Sequence, residues 1–90
     1  MPNLTSEVWS ESAVEELRRY EQHCPDNELF FIGYLIPLVE RVELEWQGET
    51  QDETVWCQRY QDYVNQCLEE DSVSEVDSLA IISLAQKLMS

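Results

Sequence analysis

The sequence predicts an all-α domain, a small up-down-up-down four-helix bundle whose second helix is kinked near Pro37. Apolar residues recur at three- and four-residue intervals over four segments, the signature of helices with one buried face. Turn and capping signals divide those segments at Cys24-Pro25, at Gly48 and at Glu70–Val73. Only two glycines and three prolines occur in 90 residues, which excludes a loop-rich or low-complexity chain.

The first helix is expected over about residues 6–24. Trp9, Ala13, Leu17, Tyr20 and Cys24 form its apolar stripe, and Glu15 precedes Arg19 by one turn, the favourable order for a helical ion pair. Pro25 ends it by pushing residue 24 out of the helical region. The second helix, about 27–46, is capped in this reading by Asp26, with Glu28 near its positive end. Phe31, Leu35, Leu38, Val39, Val42 and Trp46 supply its inward face. Leu29–Ile36 is apolar almost all round and competes as a strand, but the helical period continues through Glu40, Arg41, Glu43 and Glu45. Pro37 cannot donate to the carbonyl of Gly33 and crowds it, so a kink is expected there.

Thr50-Gln51-Asp52-Glu53 reads as a capping box opening the third helix, about 51–69. Its stripe is Trp56, Tyr60, Tyr63, Val64 and Cys67, and the two tyrosines suggest an edge where hydroxyls reach water or a backbone group. Ser74 caps the fourth helix, about 75–89. There Leu79, Ala80, Ile81, Ile82, Leu84, Ala85, Leu88 and Met89 cover more than half the circumference, as a central helix or one with a second partner would. The whole chain, 1–90, is one domain.

Nineteen acidic residues face five basic ones, a formal charge of −14, and each half of the chain carries −7. That balance excludes direct binding to nucleic acid and polybasic attachment to a membrane surface. Because Leu, Ile, Val and Phe supply 24 of the 90 residues, the charge belongs to a folded chain rather than a disordered one. The opening residues lack the basic start and apolar stretch of a secretory leader, and no apolar run is long enough to span a bilayer. A cytoplasmic protein is expected. Three cysteines agree with it: the number is odd, and Cys57 and Cys67 lie ten residues apart on one helix, beyond disulfide reach.

No catalytic, cofactor-binding or metal-binding residues are assigned. The single histidine, His23, would have to work with Cys24, and neighbours on a helix point about 100° apart. Phosphate loops, zinc spacings and Glu-x-x-His pairs are lacking. The segment that stands out is Asp26–Leu35. Leu29, Phe30, Gly33, Tyr34 and Ile36 are its candidate residues, with two readings. In one, Gly33 admits a neighbouring backbone at the tightest helix crossing; in the other, Phe30, Tyr34 and Ile36 form an apolar patch for a partner.

Asp26, Glu28-Leu29-Phe30 and Gly33-Tyr34-Leu35, followed by Glu43-Leu44-Glu45 and a glycine turn, resemble the YfcL family of small gammaproteobacterial proteins. The likeness continues weakly over the third and fourth helices and leaves the first 20 residues unmatched. Pro37 departs from the family's pattern, which bears on the straightness of the second helix. The resemblance implies a cytoplasmic helical protein and transfers no ligand or catalytic residue.

The functional expectation is a non-enzymatic interaction or regulatory protein, acting through an apolar patch ringed by acid on a basic protein partner or a second copy. The alternative is a nucleic-acid mimic that fills the basic groove of a DNA- or RNA-binding protein.

Overall fold

The computed structural model describes residues 3–89. It contains the four expected helices, α1 (Ser6–Glu21), α2 (Asp26–Glu45), α3 (Glu53–Glu70) and α4 (Glu75–Met89). Two short strands, β1 (Asn3–Thr5) and β2 (Thr50–Asp52), join them. The helices form a small all-α bundle in which α1 packs most extensively on α2. Its Cα radius of gyration, 12.7 Å, is close to the value of about 12 Å for a compact chain of this length.

Several boundaries differ from expectation for local reasons. Thr5 caps α1, its hydroxyl accepting from the Val8 N–H at 3.2 Å. The helix ends at Glu21, three residues early, because the chain must turn before Pro25 and the start of α2. Pro25, not Asp26, occupies the position before α2. Asp26 makes no capping bond and is the first helical residue, where its charge favours the positive helix end. Pro37 lies inside α2, which runs unbroken through it.

The capping box at Thr50 is not formed. Thr50 is extended and opposite Thr5 in an antiparallel ladder that also pairs Leu4 with Gln51 and Asn3 with Asp52. Thr50 suits a strand, and Asp52 takes over the cap, its carboxylate accepting from the Thr54 N–H at 2.7 Å. At α4, Ser74 caps as expected, accepting from the Asp77 N–H at 3.3 Å.

Trp9, Leu17, Ile32, Leu35, Val39, Val42, Trp56, Tyr60, Val64 and Ile81 make the centre of the core. The Trp9 ring stacks on Trp56 at 5.5 Å and meets Tyr60 edge-on at 5.8 Å, two favoured aromatic geometries. Tyr60 is fully buried rather than at an edge, because its hydroxyl donates to the Leu35 carbonyl at 2.9 Å. On α2 the buried position is Ile32, one residue on from the expected Phe31, which is half-buried like Trp46. On α4 only one side is enclosed, at Ile81, Leu84 and Ala85; Val76 and Leu79 are exposed, so this helix is not central. The Met89 side chain lies outside the described residues.

Candidate functional site

The five residues singled out on α2 do not behave as one unit. Gly33 is exposed, and a side chain built there would meet nothing within 4 Å, so no helix crosses at that point. The close approach read from the sequence is absent because the inward face of α2 turns on Ile32 and Leu35, leaving residue 33 outward. Leu29 and Phe30 are exposed, at 42% and 66%. Tyr34 and Ile36 are half-buried against the core, and the Tyr34 hydroxyl donates to Asp71 at 2.8 Å. Burial first, and then that carboxylate, pushes the Tyr34 phenol pKa up.

The outward face of α2 is more informative than its first turns. Phe30, Gly33, Pro37, Glu40 and Leu44 are all exposed and recur at helical spacing, so they share that face. Leu44, at 66%, is among the most exposed large apolar side chains. Beside it, α1 and α2 enclose an open groove of about 870 Å³. Its α1 wall carries Ser10, Glu11, Val14, Glu15, Arg18, Arg19 and Gln22; its α2 wall carries Glu40, Glu43 and Leu44. Val14 is half-buried and packs on the core, so Val14 and Leu44 give the groove an apolar strip between carboxylates. The sequence carried a signal for this in Leu44, an apolar residue flanked by Glu43 and Glu45.

The electrostatics follow from where the few cations are used. Arg19 pairs with Glu15 at 3.2 Å and Glu16 at 2.7 Å. Arg59 pairs with Glu49 at 2.9 Å and lies over the rings of Trp46 and Trp56, at 4.8 and 5.3 Å. Lys87 sits over Tyr20 at 5.2 Å, and the Tyr63 phenol beside Arg41 raises the pKa of that guanidinium. Among the described residues, ion pairs engage Glu15, Glu16 and Glu49, a small part of the 19 carboxylates.

Among the described residues, no group of three or more His, Cys, Asp or Glu is placed to hold a metal ion, and no helix is long and apolar enough to cross a membrane. His23 is exposed, its ring edge-on to Tyr20. Burial and the nearby Glu28 push the Cys24 thiol pKa up, the opposite of what an activated nucleophile needs. No protein-family model, curated protein or solved structure matches this chain.

Proposed function

We propose that the protein is a non-enzymatic interaction module that binds a basic protein partner through its acidic outer surface. The observation that carries this reading is the combination of unneutralised carboxylates with exposed apolar side chains. Five cations cannot balance 19 acids, and those engaged within the chain are held against specific carboxylates or rings. An acidic surface of this density accelerates encounter with basic partners, and apolar side chains such as Leu44 and Phe30 supply contact that salt does not screen. The same reading makes the protein cytoplasmic, with Cys24, Cys57 and Cys67 kept as thiols whose pKa values burial pushes up.

The test is a pull-down with the purified protein, washed at low and at physiological salt, with and without competing duplex DNA. Retention of basic proteins that survives physiological salt supports the module. Retention lost steeply with salt and restricted to proteins that DNA displaces supports the phosphate mimic instead. Failure to enrich basic over acidic proteins contradicts both.

A further inference from the structure

We propose that the groove between α1 and α2 seats a short amphipathic helix of the partner protein, basic in its N-terminal half and running parallel to α1. This rests on the interaction-module reading and adds to it a site, an occupant and a direction.

The groove follows α1 from Ser10 to Gln22, about 18 Å, which matches a partner helix of about 12 residues. Its apolar strip of Val14 and Leu44 suits the apolar face of such a helix, the common helix-in-groove mode. Its charge is unequal along its length. The Gly48 N–H donates to Ser6 at 3.2 Å, which fixes the C-terminal end of α2 beside the start of α1. Glu43 and Leu44 consequently lie toward Glu11, with Glu40 further along, while Arg18 and Arg19 line the far end. Because Glu15 and Glu16 already hold Arg19, exposed Arg18 brings that end to about neutral in sum, against the acidic end at Glu11, Glu40 and Glu43.

A helix brings positive charge at its N-terminus and negative charge at its C-terminus. Laid with its N-terminus over Glu11 and Glu43, and its C-terminus at Arg18, it sets its positive end on the acidic end of the groove and its negative end beside a cation. Lysines or arginines in its first turns strengthen the match. A second copy of this chain is the poorer occupant, since it would bring its own charge of −14 to an acidic wall.

The test uses the full chain and a panel of helix-stapled peptides of about 12 residues that share one leucine stripe. Lysines are placed in the first half, in the second half, or replaced by glutamates. Dissociation constants are read by fluorescence anisotropy at physiological salt for the wild type, Leu44→Gln, Glu40→Gln and, as a control on α4, Leu79→Gln. The expected result is binding of peptides with N-terminal lysines, about fivefold weaker binding when the order is reversed. Leu44→Gln should weaken binding about tenfold, and Leu79→Gln should leave it unchanged. Glu40→Gln, at an exposed position on the same wall, should weaken it about threefold and tests the groove independently of Leu44. Equal affinities for both lysine orders, or no effect of Leu44→Gln and Glu40→Gln, would overturn the groove; lysine peptides still favoured over glutamate peptides would then leave the basic-partner reading standing. Absence of binding by every lysine peptide would overturn both.

Discussion

The two ends of α2 sit in opposite environments. At its C-terminal end the chain is tied across long sequence separations. Trp56 donates to the Leu4 carbonyl at 2.9 Å, Ser6 is buried and accepts from Gly48, and Arg59 lies over the rings of Trp46 and Trp56 while paired with Glu49. Toward its N-terminal end the ties include two phenol–carboxylate bonds, Tyr20 to Glu28 at 2.5 Å and Tyr34 to Asp71 at 2.8 Å. Phe30 and Leu29 stand in solvent there. Aromatic residues therefore serve two purposes in this small chain. Those at the strand end close the core and complete its hydrogen bonds, whereas Phe30 contributes exposed surface.

The largest effect should come from the strand end. Trp56→Ala removes a fully buried ring, its stacking on Trp9 and its bond to Leu4, and should cost about 3–5 kcal/mol in urea unfolding. A cost below about 1 kcal/mol would mean that this end does not anchor the fold. Tyr60→Phe keeps the ring and deletes only the buried bond to Leu35, for an expected loss of about 1 kcal/mol.

Acid should act on the same end. The Arg59 and Gln51 side chains hold the Glu49 carboxyl below its ordinary value of 4.5, and the Thr54 backbone N–H holds Asp52 below 3.8. For both, the unfolded chain binds protons at higher pH than the folded chain does. Their stabilisation is therefore complete above those ordinary values and is lost as pH falls through the lower folded ones. Comparing unfolding of Glu49→Gln with wild type at descending pH tests this: the gap between them should stay constant near neutrality and close in acid. A gap that widened in acid would reverse the sign of the account. The smallest effect belongs to the other end of α2, where Phe30→Ser should change stability by no more than about 0.5 kcal/mol. A larger loss would erase the contrast between the ends.

The helices were legible because each segment keeps a helical period, and Ser74 was legible as the α4 cap because Glu75 and Asp77 follow it in the first turn. At Thr50 and Asp52 two good caps lie two residues apart, and only the pairing of Thr50 with Thr5 decides between them. The strands themselves, three residues each, are too short to show alternation. Within Leu29–Ile36 nearly every residue is apolar, so nothing local distinguishes Ile32 from Phe31 as the buried position. That ambiguity also misplaced Gly33 at a helix crossing. The groove was less visible still, because its walls come from residues about 30 positions apart that only the packing of α1 on α2 brings together.

The central claim is that the outer α1–α2 face serves recognition and not folding. It is tested most directly by measuring Leu44→Gln and wild type side by side, for thermal midpoint and for affinity toward a leucine-striped helix with N-terminal lysines. The expected result is the same midpoint and about tenfold weaker binding. Unchanged affinity, or a midpoint lowered as far as a core substitution lowers it, would contradict it.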